Sequence, residues 1–192
     1  ALCSSSKSKS GRHICTSSLV RRQVSPDRPG WTCLRFFPFL LIALLTAGLQ
    51  AAAQDLTETI VASDGTKRTY RVFVPDSVSP SERAPAVVLY NGSGSRVDGL
   101  WSFWQNVARK HGIVLLGPAA FAAGAWRIPE DSPEFTRDVI EAAKTRWPID
   151  PRRVYLFGHS GGGHHVLQIG LLESEYVAAV AAHAGALMPA FF

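Results

Sequence analysis

Past residue 53 the sequence contains no cysteine; its three, Cys3, Cys15 and Cys33, all come earlier. That absence excludes an internal disulfide, a thiolate metal site and a thiol nucleophile from the body of the protein. Histidine is sparse, with six in 192 residues, and none stands at a metal-binding spacing from an acid. His164 and His165 are adjacent, and no H-E-x-x-H occurs. No metal and no cofactor are expected. Excess positive charge is also missing from the body. The chain carries a net +5, but seven of its 20 basic residues and only one of its 15 acids, Asp27, lie in residues 1–53. The rest is close to neutral, which leaves no electrostatic footprint for a nucleic acid.

The basic segment instead reads as targeting sequence. Residues 1–30 are Ser-rich, basic and without periodicity, the composition of a disordered leader. Residues 31–53 form an apolar export signal, with Phe36–Leu45 at its centre and Ala51-Ala52-Ala53 as an A-x-A cleavage site. The uncleaved alternative is an N-terminal membrane anchor. Location outside the cytoplasm, secreted or periplasmic, is the expectation, with a membrane as partner only if the leader is retained. The chain opens without Met, its one Met being Met188, so residues 1–30 read as an incomplete or over-extended start.

Residues 54–192 alternate strand and helix patterns. Leu56–Val61 and Arg68–Val74 flank the turn signal Ser63-Asp64-Gly65-Thr66 and predict an antiparallel hairpin. Ala86–Tyr90 and Ile113–Leu116 read as buried strands. Between them Asp98–His111 carries Leu100, Phe103, Trp104, Val107 and Ala108 as an apolar helix face ended by Gly112, while Trp101 is ambiguous. Ser132-Pro133-Glu134 starts a helix that runs to about Thr145 and turns Val139, Ala142 and Ala143 to the sheet. A last strand spans Val177–Ala182. The pattern predicts a parallel sheet covered on both faces.

The most informative stretch is Arg153–His165, RVYLFGHSGGGHH. Val154–Phe157 is a buried strand that runs into Gly158-His159-Ser160-Gly161-Gly162. Gly161–Leu172 then reads as a helix, with Val166, Ile169 and Leu172 at helical spacing. By chance alone G-x-S-x-G turns up in about one chain in twenty of this length, so the pentapeptide is weak by itself. Strand, G-x-S-x-G and helix in that order is the context of a nucleophile elbow. There the turn is too tight for side chains two residues either side of the serine, and the serine Oγ is lifted clear of the sheet.

On these residues the chain resembles the secreted α/β-hydrolase esterases, in particular the polyhydroxybutyrate depolymerase and feruloyl esterase-like group. The shared features are R-x-Y-R-V-F-V-P at Arg68–Pro75, a strand-to-glycine loop at Val87–Gly94, Trp126, I-D-P-R-R-V-Y-L at Ile149–Leu156 and G-H-S-G-G-G at Gly158–Gly163. The resemblance implies an α/β-hydrolase fold: a mostly parallel sheet with an N-terminal antiparallel hairpin, incomplete at the C-terminus. It also implies a small-molecule or polymeric ester as substrate. Ser160 is then the nucleophile, and the backbone N–H of Gly161 is one oxyanion donor. By similarity Ser93 supplies the second. Asn91 replaces the His of the group's His-Gly. Trp126 follows a strand's C-terminal end, where α/β sites assemble, and is a candidate pocket wall. His159, in the variable position of the elbow, packs or lines the site. His183 ends the final strand on the catalytic edge and lines the pocket or packs.

A serine needs a base, and the base needs an orienting acid. In this fold the order is Ser, then Asp or Glu, then His. No Asp follows Ser160, and Glu173 and Glu175 read as a solvated helix end. His164 and His165 sit on the elbow helix, poorly placed to serve. The resemblance therefore implies that acid and base lie beyond the chain end and that residues 54–192 alone are nearly inactive. Three functions fit the sequence: a serine esterase, a serine peptidase of related fold and a non-catalytic binding protein of the same fold.

Overall fold

The central strands of the body follow from near-continuous apolar runs such as Ala86–Tyr90 and Val114–Leu116, which are satisfied by cover on both faces of a sheet. The computed structural model describes residues 52–94, 98–122 and 124–187, all within a compact unit spanning Gly48–Phe192. The predicted leader (1–30) and all but the last two residues of the apolar signal (31–53) lie outside the described residues. No described helix is long and apolar enough to cross a membrane.

In chain order the elements are β1 (Gln54–Val61), β2 (Lys67–Val74), β3 (Ala84–Tyr90), α1 (Asp98–His111), β4 (Val114–Pro118), α2 (Pro133–Arg146), β5 (Ile149–His159), α3 (Gly161–Leu172) and β6 (Ala179–His183). The six strands form one sheet in the order β1-β2-β4-β3-β5-β6. β1 pairs antiparallel with β2, as the hairpin signal predicts, and β2 pairs antiparallel with β4. From β4 to β6 the sheet is parallel.

Consecutive side chains on a strand point to opposite faces, and here each face has its own core. Phe73, Val87, Leu89 and Leu115 pack with Trp101 and Ala108 of α1. Val72, Val88, Leu116, Val154 and Leu156 pack with Val139, Ile140 and Ala143 of α2 and with Val166 and Ile169 of α3. α2 starts as its sequence demands, with Pro133 in the first turn and Ser132 Oγ accepting the Phe135 N–H at 3.2 Å. Gly112 closes α1 at φ 63°.

Two helix faces differ from the sequence pattern. On α1 the residue driven into the core is Trp101, 1% exposed, whereas Phe103 is 63% exposed. The helix presents Trp101, Trp104 and Ala108, an i, i+3, i+7 stripe, because Gly117 on β4 leaves room for the larger ring. A Cβ at Gly117 would stand 2.8 Å from Trp101 Cζ3. On α3 Val166 and Ile169 are fully buried, but Leu172 in the last turn is exposed. Among the described residues the sheet under α3 ends at β6, so nothing covers that turn. β6 itself is an alanine-rich edge strand whose Ala179 and Ala181 are exposed. Glu173, read as solvated, is half-buried and lies 3.4 Å from Arg137 Nε, while Glu175 is exposed.

Candidate active site

β5 delivers the chain to Ser160 and α3 carries it away at once, which forces Ser160 to φ 52° and ψ −117°. A non-glycine residue at positive φ is costly and persists only where its surroundings fix it. Two hydrogen bonds do so here: Ser160 N–H donates to His183 O at 2.8 Å, and Ser160 O accepts from His164 N–H at 3.0 Å. The Ser160 hydroxyl does not cap its own helix. Among the described residues no side chain hydrogen-bonds to it, so Oγ stays available to a ligand.

The glycines around Ser160 are required by close approach. A Cβ on Gly158 would stand 2.7 Å from Gly163 N, and one on Gly162 would stand 2.6 Å from Asn91 O. Gly161 lies against the loop that follows β3: a Cβ there would be 3.1 Å from Ser93 N and 3.2 Å from Ser93 Cβ, and closer still to Ser93 Oγ. The elbow and this loop thus touch backbone to backbone. The Gly161 N–H belongs to the first turn of α3, whose amides have no intrahelical acceptor and carry the positive end of the helix dipole.

A cavity of about 310 Å³ opens at this junction, lined by Ser93, Trp126, Ile128, Gly161, His164, His165 and Gln168. Of the residues singled out in the sequence, Gly161, Ser93 and Trp126 line it, and Ser160 is the next residue to Gly161. Asn91 is held to one side: its backbone O accepts the Trp126 indole N–H at 2.7 Å and its Nδ2 donates to Gly92 O at 3.1 Å. His159 and His183 do not line the cavity. Their rings stack on each other, centroids 5.0 Å apart, with Nδ1 to Nδ1 at 2.8 Å, a separation at which one nitrogen donates and the other accepts.

Sequence reasoning missed Ile128 and Gln168, and it weighed His164 and His165 only as bases, not as cavity walls. The helical share was legible as a stripe: Gly161, His164, His165 and Gln168 stand at i, i+3, i+4 and i+7 from the residue after the nucleophile. His164 Nδ1 faces the Ala186 backbone, 2.5 Å from O and 3.1 Å from N, leaving only its Nε2 for the cavity. His165 is 5% exposed, stacks on Trp126 at 5.3 Å and 19°, and tilts against Tyr90. Its Nε2 has no partner among the described residues.

Burial pushes the His165 imidazole down from 6.5 to about 4, so the ring is neutral at pH 7. The sign of the linkage follows. Between about pH 6.5 and 4 the unfolded chain takes up a proton that the folded chain refuses. Stability is full above this window and falls as pH drops through it, by up to about 3 kcal/mol from this residue. His165→Phe, which keeps the stack on Trp126, is expected to flatten that part of the profile. Urea midpoints at pH 7 and pH 5 for the two proteins measure the difference.

Among the described residues no group of three or more His, Cys, Asp and Glu side chains is arranged to hold a metal ion. The strand order, the strained serine between β5 and α3 and the glycine loop facing it define an α/β-hydrolase fold. Solved structures agree on that fold. A ferulic acid esterase matches with a TM-score of 0.59 at 18% identity, over 70% of this chain and 59% of its own. An S-formylglutathione hydrolase from Agrobacterium tumefaciens matches with a TM-score of 0.58 at 18% identity, over 70% and 58%.

The chain belongs to the FrsA-like esterase family, whose family model matches residues 47–191. A curated relative, a poly(3-hydroxybutyrate) depolymerase from Ralstonia pickettii, is 25% identical over 181 residues, covering 81% of this chain. The chain spans 37% of that relative's length.

Proposed function

We propose that the protein hydrolyses carboxylic esters through an acyl-enzyme on Ser160. The observation that carries this reading is the Ser160 backbone, strained to φ 52° and followed directly by Gly161, which lines the cavity and packs against Ser93. Oγ attacks the acyl carbon and gives its proton to a base. The carbonyl oxygen becomes an oxyanion held by the backbone N–H groups of Gly161 and Ser93, which are fixed before the reaction begins. The C–O bond to the alcohol then breaks, the base returns its proton to the departing alcohol, and water releases the acid by the same steps.

Each of the four histidines near the site is already held by another group: His159 and His183 by each other through Nδ1, His164 through Nδ1 by Ala186 with only Nε2 left to the cavity, and His165 under Trp126. Among the described residues no carboxylate hydrogen-bonds to any of them. We therefore assign the base and its acid to chain following residue 192, on the far side of β6, whose exposed alanines suit a further parallel strand. On this reading residues 54–192 by themselves turn over very slowly. A cavity near 310 Å³ is at the small end for ligand sites, and Trp126 and Ile128 suit a short acyl or compact aryl group. The relative's name makes a polymeric ester the alternative substrate. The order of basic segment, apolar run and small-residue site supports export with cleavage after Ala53.

The test is a serine-directed fluorophosphonate probe on the full-length protein recovered from outside the cytoplasm, read by mass. The expected product begins at Gln54 and carries one adduct, on Ser160. An unlabelled Ser160 in protein that is folded would count against the mechanism, and a retained leader against export. Turnover of short acyl esters with none of aminoacyl amides is the expected substrate result, and the reverse would favour a peptidase.

A further inference from the structure

The loop that carries Ser93 is held by the segment that follows β4. The Trp126 indole N–H donates to Asn91 O at 2.7 Å, and Gly94 N–H donates to Gly124 O at 2.9 Å. That segment is in turn gathered around one carboxylate. Asp131 accepts the Phe121 N–H at 2.9 Å, the Arg127 N–H at 3.0 Å and Arg68 Nη2 at 2.6 Å. Arg68, on β2, also donates to Ala119 O at 2.9 Å and Glu130 O at 2.7 Å, and its guanidinium lies 3.6 Å from the Phe135 ring centroid. Both charges are buried, with Asp131 0% and Arg68 5% exposed.

A buried ion pair is a poor source of stability, since desolvation offsets most of its attraction. What this pair does supply is geometry. It fixes four backbone groups, those of residues 119, 121, 127 and 130, about one point. The strut they form ends on the two residues, Asn91 and Gly94, that bracket the Ser93 N–H.

We propose that the Arg68–Asp131 pair and Trp126 are positioning residues for the oxyanion hole, holding the Ser93 amide in line with that of Gly161. This rests on the reading of Ser93 and Gly161 as the oxyanion donors. Neither Arg68 nor Asp131 lines the cavity, so their effect travels through the loop. A donor displaced by about 1 Å costs on the order of 100-fold in rate.

The experiment uses the full-length enzyme and a short acyl ester, with kcat normalised to Ser160 sites titrated by the fluorophosphonate so that only folded protein is counted. Trp126→Phe keeps a six-membered aromatic ring against Tyr90 and His165 and removes the indole N–H together with the five-membered ring that carries it. It is expected to lower kcat about 10-fold to 100-fold with KM within twofold. Asp131→Asn keeps an acceptor but removes the charge and is expected to fall in the same direction. Should Asp131→Asn fail to fold, Trp126→Phe decides alone. A raised KM with unchanged kcat in Trp126→Phe would make Trp126 a substrate wall only and overturn the proposal. Normalised kcat within twofold of the unsubstituted enzyme overturns it too. If the unsubstituted enzyme is itself unlabelled and inert on esters, the underlying reading fails and this one falls with it; labelling that stays intact while Trp126→Phe is silent removes this one alone.

Discussion

Ser160→Ala in the full-length enzyme is expected to lower kcat on short acyl esters by about 10⁴-fold to 10⁶-fold and to abolish fluorophosphonate labelling. Ser160→Gly should be equally inactive. The two differ in stability. At φ 52° the backbone of residue 160 disfavours any side chain, and glycine relieves that strain while alanine does not. Ser160→Gly should therefore be more stable than Ser160→Ala by about 1 kcal/mol, against the usual order of these residues. Chemical denaturation of the two inactive proteins reads this directly. If alanine proved the more stable, the strained elbow would be wrong, whatever the activity data said.

The second large effect is expected of Gly162→Ala, a change of one methyl group away from the hydroxyl. That methyl would meet Tyr90 O inside van der Waals contact and stand 2.6 Å from Asn91 O. Both are backbone atoms of the β3 end and the loop after it, so no side chain can swing aside. Either α3 moves off β3 or the loop moves away from the elbow. The expected cost is more than about 3 kcal/mol, at the high end for overpacking. Activity should fall by orders of magnitude in whatever protein still folds, because either movement parts Gly161 from Ser93. A Gly162→Ala enzyme with near-normal melting temperature and kcat would show that the junction is looser than its contacts indicate.

Why some of this was legible in the sequence and some was not follows from where the information sits. The elbow is local: a strand, a helix and glycines a few residues apart already say that two backbones must nearly touch. The start of α2 is local as well, written in Ser132 and Pro133. The phase of α1 is not. Leu100, Trp101, Phe103, Trp104, Val107 and Ala108 wrap much of that helix, and the side facing the sheet is chosen by the space over Gly117 on a strand formed later in the chain. The clamp on the Trp126 segment joins Arg68 to Asp131 across 63 residues. Its one local hint is that Arg68 shares a strand face with the buried Tyr70 and Val72, and a charge pointing inward must find a partner. The pairing of His159 with His183 came from strand register, which puts them opposite each other across β5 and β6.

The alanine-rich rim at β6 bears on how the 192-residue chain would behave in a test tube. Among the described residues no strand pairs with its outer amides and carbonyls, and its exposed Ala179 and Ala181 offer neither charge nor bulk to repel a second molecule. Without a neighbour for that rim, one copy can recruit another strand to strand, and assemblies should grow with concentration. Light scattering from a preparation of this length would then report on crowding between molecules before it reported on the enzyme.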